Sequence, residues 1–270
     1  MPELPEVETI TQGLQPLCNQ KLLGVTIHRR NIVFPSKNHF TRILPRQKIT
    51  SISRRGKYII FELNRGYNLI FHLRLSGQLI LSKKRRLKHD RMVILFKDTR
   101  LHFVEPRALG RAYLIESGAQ PQELKGLFNL GPEPFEPRFT TRYLKETFNN
   151  RKARIKSLLL NQSIVAGLGN IYSDEALFLA KISPLRNANT LSDREITRLH
   201  QAVRVILKEA IKYLGTSVSD YKRPDGSLGR FQSLLNVYKR EGFPCRICRG
   251  LIVRVKVGNR SWRYCPNCQR

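Results

Sequence analysis

The spacing of four cysteines near the end of the chain is the strongest constraint on its fold. Cys245 and Cys248 form one short-spaced pair, Cys265 and Cys268 form a second, and 16 residues separate the pairs. Two such pairs at a hairpin's separation are typical of a tetrahedral zinc site with thiolate ligands. Four protein ligands leave no open coordination position, so the pattern predicts one structural Zn²⁺ and not a catalytic one.

The residues between the two cysteine pairs favour a β-hairpin. The stretch LIVRVKVGNRSWRY alternates apolar and polar side chains, as two short strands would. Residues 236–270 also carry nine Lys or Arg against one acid, Glu241. A metal-stabilised hairpin with this excess of cations indicates a finger that binds phosphates; a zinc module without nucleic-acid contact is the alternative.

The charge of the whole chain points to the same class of partner. Lys and Arg number 49 against 20 Asp and Glu, so the formal net charge is +29. A compact chain with this charge repels itself, and a polyanionic partner such as nucleic acid offsets the repulsion. An anionic membrane surface and a merely solvated surface are the alternatives. No apolar run approaches the ~18 residues of a membrane span and no secretory signal is evident, so we expect a cytosolic protein.

The first half of the chain has the period of β-strands. Residues 22–115 alternate apolar and polar side chains around short turns, for example at Asn64-Arg65-Gly66 and at Asp98-Thr99. Closely spaced strands joined by short turns favour an antiparallel β-sandwich. The segment 130–139 then holds three prolines and a glycine and is typical of a linker.

The second half has the period of helices. Residues 140–149, 151–161 and 171–180 favour helices, and Ser192 with Glu195 forms a capping box that begins a longer one. Gly215 stands where that helix would end.

The first ten residues, MPELPEVETI, contain two residues that helix formation does not explain. Pro5 suits a first helical turn, and Glu6 complements a positive helix end, but Pro2 and Glu3 need another reason. Removal of Met1 would expose a secondary amine with a pKa of roughly 7.7–8.0, which is a usable nucleophile at neutral pH. Glu3 could then supply or accept protons. A terminal turn with a helix cap is the alternative.

Two glycines mark a possible phosphate site in the helical half. Gly167 and Gly169 flank a turn, and the helix that follows would offer free N–H groups, with Asn170 adding a side-chain hydrogen bond. A packing corner between two helices explains the same residues.

Taken together, three motifs resemble the bacterial formamidopyrimidine-DNA glycosylases. They are MPELPEVET at the start, GLGNIYSDEALF at residues 167–178, and the four-cysteine finger, and the resemblance covers essentially the whole chain. The related endonuclease VIII proteins typically have glycine where Leu4 stands, which favours the purine-lesion branch. The resemblance implies a base-excision repair enzyme that removes 8-oxoguanine and formamidopyrimidines from double-stranded DNA. It also implies abasic-site lyase activity by β,δ-elimination and a monomer in the bacterial cytosol.

The implied fold class is α+β with several domains. An N-terminal antiparallel β-sandwich with flanking helices would span residues 1–130, followed by a linker at 131–139. A helical DNA-binding domain with a helix-two-turn-helix would span 140–235 and include a lesion-covering loop at 215–231. The four-cysteine zinc finger would span 236–270.

The resemblance also implies catalytic roles for particular residues. Pro2 resembles the nucleophile that attacks C1′ and forms a Schiff base, and Glu3 the carboxylate that protonates the sugar ring oxygen or shuttles protons. Lys57 resembles a lysine that donates protons and binds phosphate in the lyase step. Arg260 resembles an arginine that holds phosphate and assists δ-elimination. Glu6 resembles a supporting carboxylate, with a helix cap as the alternative.

The resemblance implies DNA contacts at four further positions. Asn170 resembles an asparagine that binds phosphate beside the lesion, and Lys156 a helical lysine near the lesion. His89 and Arg151 match positions that contact DNA.

A nucleotide must leave the duplex before its base is removed, so side chains must fill the gap. The resemblance assigns this wedge to Leu75, Arg107 and Leu109, where the family usually has methionine, arginine and phenylalanine. Both leucines remain apolar and can insert between bases. Leucines in the strand core are the alternative.

Two other functions stay open at this point. A zinc-finger protein that binds damaged DNA without cleaving it fits the charge and the changed wedge. An enzyme of the same fold that acts on oxidised pyrimidines fits the catalytic residues equally well.

Overall fold

The computed structural model describes residues 1–218 and 220–270 and divides the chain into two compact units. The first, called here the N-terminal unit, comprises residues 1–128 and 213–230. The second, the C-terminal unit, comprises residues 129–212 and 231–270.

Two β-sheets form the body of the N-terminal unit. Its strands are β1 (Gly24–Ile27), β2 (Val33–Phe34), β3 (Ile49–Arg55), β4 (Tyr58–Leu63), β5 (Tyr67–His72), β6 (Gln78–Ser82), β7 (Asp90–Leu95), β8 (Arg100–Val104) and β9 (Arg111–Glu116). One sheet has the order β1-β7-β8-β6 and the other the order β2-β9-β5-β4-β3. All neighbours are antiparallel except β2 and β9. The predicted α+β class with an N-terminal pair of sheets is confirmed.

Aromatic side chains from both sheets meet in one core. The Phe71 ring of β5 packs against Phe61 of β4 at 5.6 Å and against Phe103 of β8 at 5.4 Å, centroid to centroid. Helix α1 (Leu4–Gly13) adds Val7 and Ile10 to the same core, both fully buried. Such burial of apolar area is the main favourable term in folding.

A helix interrupts the region that the alternation assigned wholly to strands. Helix α2 (Lys37–Ile43) lies between β2 and β3, so the assignment of 22–115 to strands was wrong there. The Ser36 hydroxyl accepts a hydrogen bond from the His39 N–H at 3.2 Å and caps the helix, and Phe40 is fully buried. This local capping signal outweighs the strand period of the flanking residues.

The C-terminal unit is helical and ends in a hairpin. After the short helix α3 (Lys125–Phe128) of the N-terminal unit, its elements are α4 (Thr141–Asn149), α5 (Ile155–Leu159), α6 (Asn170–Leu179), α7 (Asp193–Lys212), β10 (Val253–Val257) and β11 (Arg260–Tyr264). The capping box before α7 is confirmed, since the Ser192 N–H donates to the Glu195 carboxylate at 2.9 Å. Among the described residues, no helix is long and apolar enough to cross a bilayer.

The segment 213–230 belongs to the N-terminal unit, whereas the sequence analysis grouped 215–231 with the helical domain. Tyr221 is buried in the core of the two sheets, and this packing holds the segment in the N-terminal unit. The Leu81 N–H donates to the Pro224 carbonyl at 2.8 Å, and the Gln78 amide donates to the Asp220 carbonyl at 2.6 Å. Ser219 of the predicted loop lies outside the described residues.

Candidate active site, DNA-contact residues and zinc centre

The first residues are held against the start of helix α1. Pro2 is buried and Glu3 is 2% exposed. Glu3 has extended backbone angles and precedes the helix, and its carbonyl accepts the Val7 N–H at 3.0 Å. Pro5 stands within the first turn, where its missing N–H costs nothing. The chain therefore presents Pro2 and an adjacent buried carboxyl from a fixed helix end.

Glu6 joins this helix end to the start of the 213–230 segment. One carboxylate oxygen accepts the Glu3 N–H at 2.8 Å and the other accepts the Thr216 N–H at 2.7 Å. Gly215 has a φ of +81°, and a Cβ there would lie 3.0 Å from Glu6 Cγ, so glycine suits both the angle and the close approach. Both expectations for Glu6, a helix cap and a supporting carboxylate, are compatible with these contacts.

Lys57 lies at the turn between β3 and β4 and is only 6% exposed. Nearby, burial and then the charges of Arg74 and Lys57 lower the pKa of His72 to about 3. The imidazole is therefore neutral, and its Nδ1 accepts the Arg74 N–H at 3.2 Å. The sequence analysis missed His72 as a residue of the site. The alternation of apolar and polar residues along β5 indicates only that this side chain faces inward.

The predicted wedge residues lie on two loops at the edge of the sandwich. Leu75 is on the loop 73–77 between β5 and β6, and Leu109 is on the loop 105–110 between β8 and β9. Leu75 is 44% exposed and Leu109 is 42% exposed, and Arg107 is also exposed. These positions exclude the alternative of leucines in the strand core.

His89 is exposed on the turn before β7 and has a φ of +64°. The next residue, Asp90, is buried and fixes this turn. Its carboxylate accepts the Leu87 N–H at 2.5 Å and lies 2.9 Å from His102 Nδ1. The side chain of His89 is thus presented to solvent from a constrained backbone.

Asn170 and Lys156 form one network in the C-terminal unit. The Lys156 ammonium donates to Asn170 Oδ1 at 2.8 Å and to Asp174 Oδ1 at 2.5 Å. The Asn170 amide donates in turn to the Ser261 carbonyl at 3.0 Å, which links the start of α6 to β11. Lys156 is fully buried, and this position does not support its predicted contact with DNA. That contact stays a prediction.

Arg260 and Arg151 are both exposed. Arg260 begins β11 directly after the hairpin turn, and Arg151 follows α4. Each guanidinium is therefore accessible to a phosphate, for which its planar set of donors is suited.

The four cysteines of the hairpin form a metal centre. Their sulfur atoms all lie within 4.8 Å of one another. Cys245 Sγ lies 3.9 Å from Cys268 Sγ, and Cys248 Sγ lies 3.4 Å from Cys265 Sγ. Tetrahedral thiolates bound to zinc at about 2.3 Å would be roughly 3.8 Å apart, so the donor set fits Zn²⁺.

A buried carboxylate anchors this module to helix α6. Glu175 is fully buried and accepts the backbone N–H groups of Asn236, Val237 and Tyr238 at 2.8 to 2.9 Å. The sequence analysis missed this residue, and the only signal was an acid within the apolar run of the helix.

Family models match three parts of the chain. The model described as the formamidopyrimidine-DNA glycosylase N-terminal domain matches residues 1–112, and the formamidopyrimidine-DNA glycosylase H2TH domain matches residues 130–222. The model described as the zinc finger found in FPG and IleRS matches residues 242–270. Together with the sulfur geometry, this last match confirms the prediction of zinc.

Known proteins are similar over the full length. A formamidopyrimidine-DNA glycosylase from Pelotomaculum thermopropionicum is 43% identical over 275 residues, covering 100% of this chain and 99% of the relative. A mutant Lactococcus lactis FPG in complex with DNA containing Fapy-dG has a TM-score of 0.93 at 37% identity, covering 100% of both chains. The Lactococcus lactis Fpg in complex with DNA containing an abasic site has a TM-score of 0.92 at 37% identity, covering 99% of both chains.

Proposed function

The chain belongs to the formamidopyrimidine-DNA glycosylase family, and from that premise we propose that it removes 8-oxoguanine and formamidopyrimidines from duplex DNA. Family membership makes the chain a base-excision repair enzyme, a DNA glycosylase and abasic-site lyase that acts on damaged DNA. The proposed place of action is the bacterial cytosol and nucleoid, where that DNA is found. The observation that carries the proposed chemistry is the placement of Pro2 beside the buried Glu3 at a fixed helix end. The purine lesions are proposed because the similar mutant Lactococcus lactis FPG is bound to DNA containing Fapy-dG.

The proposed reaction begins at the amine of Pro2 after Met1 has been removed. An α-amino group has a pKa of roughly 7.7–8.0, so a useful fraction is neutral at cellular pH. The nitrogen forms a bond to C1′ while the bond from C1′ to the base breaks, and the base leaves with the electron pair and takes a proton. Glu3 protonates the sugar ring oxygen, the ring opens, and a Schiff base remains on Pro2.

The proposed lyase steps follow from the Schiff base. Loss of a C2′ proton expels the 3′ phosphate in β-elimination, and a second proton loss expels the 5′ phosphate in δ-elimination. Water then hydrolyses the imine and frees Pro2. We assign to Lys57 proton donation and phosphate binding, and to Arg260 phosphate binding that assists the second elimination, since phosphates are bound by lysine and arginine cations.

The remaining proposed roles concern DNA binding. His89 and Arg151 are exposed, and Asn170 lies at a helix N-terminus, so each suits a contact with the phosphate backbone. Leu75, Arg107 and Leu109 would fill the gap left by the displaced nucleotide. Zinc holds the hairpin that carries Arg260, and bound zinc supplies folding energy and no chemistry.

A strand-cleavage assay on three duplexes tests the proposal. One duplex carries 8-oxoguanine opposite cytosine, one an abasic site and one thymine glycol. We expect cleavage of the first two, with phosphate on both new ends as β,δ-elimination requires, and slower cleavage at thymine glycol. Pro2→Gly and Glu3→Gln should lose excision of 8-oxoguanine, while Glu116→Gln, at an exposed acid on β9, should match the wild type.

Each other outcome contradicts a defined part of the proposal. Binding that leaves every strand intact would make the chain a DNA-binding protein without catalysis. Faster cleavage at thymine glycol than at 8-oxoguanine would move the substrate class to oxidised pyrimidines. Products with only the 3′ side cleaved would remove the δ-elimination step.

A further inference from the structure

A buried carboxylate joins the two loops that carry the exposed leucines. Glu105 directly follows β8, as the first residue of the loop 105–110, and is fully buried. Its Oε1 accepts hydrogen bonds from the Ser76 hydroxyl and from the Arg107 N–H, the latter at 3.0 Å. Its Oε2 accepts the Gly110 N–H at 2.8 Å. One side chain therefore bonds to the loop 73–77 and to two backbone N–H groups of the loop 105–110.

Each donor either belongs to a wedge residue, as with Arg107, or lies next to one along the chain. Ser76 follows Leu75, and Arg107 and Gly110 stand on either side of Leu109. A Cβ at Gly110 would lie 2.8 Å from Glu105 Oε2, so only glycine permits this close approach.

The backbone of Glu105 is fixed as well. Arg91 Nε donates to the Glu105 carbonyl at 2.7 Å, and the Glu105 N–H donates to the His89 carbonyl at 3.0 Å. The carboxylate is therefore a rigid point to which a second loop is attached. Strand β6 and strand β9 follow the two loops and lie in different sheets, so strand pairing does not hold β6 to β9.

We propose that Glu105 is a positioning residue that holds Leu75 and Leu109 together as one rigid wedge and thereby sets how readily the enzyme opens a paired duplex. The inference rests on the proposed function. Unstacking a base step costs free energy, and contacts between the inserted side chains and the bases offset that cost. Loosely held leucines would make weaker contacts and would offset less of it. Side chains on loops keep a productive geometry only where their supporting contacts are fixed.

Glu105→Gln is the informative change, because glutamine keeps the shape of the side chain. The native carboxylate receives donors on both oxygens, whereas an amide has one acceptor oxygen, so its NH₂ group would face another donor. The matched control is Glu116→Gln, at an exposed acid on the same unit.

The experiment compares three DNA substrates that differ in the cost of opening. They are a fully paired duplex with 8-oxoguanine opposite cytosine, the same lesion inside a short unpaired bubble, and single-stranded abasic DNA. For Glu105→Gln we expect excision from the paired duplex to fall about tenfold or more, the scale of a lost hydrogen bond to a charged group. Activity on the other two substrates should stay within about twofold of the wild type, since neither requires the pair to be opened. A 2-aminopurine beside the lesion should brighten on binding of the wild type and not of the variant.

Each result bears on the inference. Equal slowing on all three substrates would mean that Glu105 is needed only for folding, which overturns the inference. Unchanged excision from the paired duplex would also overturn it. Thermal unfolding shows whether Glu105→Gln is folded. If it is not, Ser76→Ala removes one donor from the other loop and should give the same pattern across the three substrates, with a loss of activity that is smaller by a few-fold. A wild type that cleaves neither 8-oxoguanine substrate contradicts the proposed function instead, and the 2-aminopurine signal then decides the positioning role alone.

Discussion

Breaking the buried ion pair between Lys156 and Asp174 should strongly destabilise the C-terminal unit. Both side chains are fully buried, and Lys156 Nζ lies 2.5 Å from Asp174 Oδ1. Removing one partner of such a pair leaves a buried charge without compensation and costs about 3–5 kcal/mol in the free energy of unfolding. A double replacement by Lys156→Met and Asp174→Leu should cost far less, because no lone charge remains.

The two single variants should respond to pH in opposite directions. Burial raises the pKa of Asp174 to about 7, against the lowering effect of Lys156, so Lys156→Met raises this pKa further. The folded variant then holds a proton that the unfolded chain releases, and its cost relative to the wild type grows above about pH 7, by about 1.4 kcal/mol per pH unit. Asp174→Asn leaves a buried ammonium that the folded state prefers to deprotonate, so its cost shrinks as the pH rises.

Urea unfolding at about pH 6 and about pH 9 measures both trends. Trp262 is the only tryptophan, and its ring centroid lies 5.4 Å from Lys156 Nζ, so its fluorescence reports on this cluster. The matched control is Lys145→Met, which removes an exposed partner of Asp193 and should cost less than about 1 kcal/mol at either pH. The reasoning would be refuted by Lys156→Met within about 1 kcal/mol of the wild type at about pH 9, by Asp174→Asn within about 1 kcal/mol of it at about pH 6, or by the same pH trend for both.

Three further predictions concern metal, pH and the wedge. Cys265→Ser, or removal of zinc with a chelator, should expose the buried Trp262 and shift its emission to the red, with loss of DNA binding; an unchanged spectrum contradicts this. His72 has a pKa lowered to about 3, so the unfolded chain binds its proton first, and this imidazole contributes to the pH slope of the wild type a loss of about 1.4 kcal/mol per pH unit below about pH 6.5. His72→Gln should flatten that slope in urea unfolding, and an equal slope would count against a buried neutral imidazole. Leu109→Ser should slow excision from a paired duplex about tenfold without slowing cleavage of single-stranded abasic DNA; equal slowing of both would remove the wedge role.

The parts of the site that sequence could predict are those in which the chemistry lies in short spacings. The four thiol ligands depend on two pairs with two residues between partners, and the Pro2-Glu3 pair is a single step along the chain. Capping boxes are equally local, and the one before α7 was predicted correctly. Helix α2 was missed although Ser36 offered the same kind of signal.

What could not be predicted depends on partners far apart along the chain. Glu105 bonds to Ser76, 29 residues away, and no local pattern marks that pair. Glu175 bonds to backbone N–H groups 61 to 63 residues away, and only the folded unit brings them together. The burial of Lys156 could not be predicted for the same reason, because its ion-pair partner Asp174 lies on another helix.

The most direct test of the central claim is borohydride reduction of the complex with 8-oxoguanine DNA, followed by tryptic mass spectrometry. We predict that the reduced DNA fragment is found on the peptide Pro2 to Lys21, with Met1 absent, because the amine of Pro2 carries the Schiff base. Trypsin cuts after Lys21 only if that lysine is unmodified, so recovery of this peptide excludes its only other amine. A fragment attached to any other peptide, or full activity in a protein that retains Met1, would contradict the account.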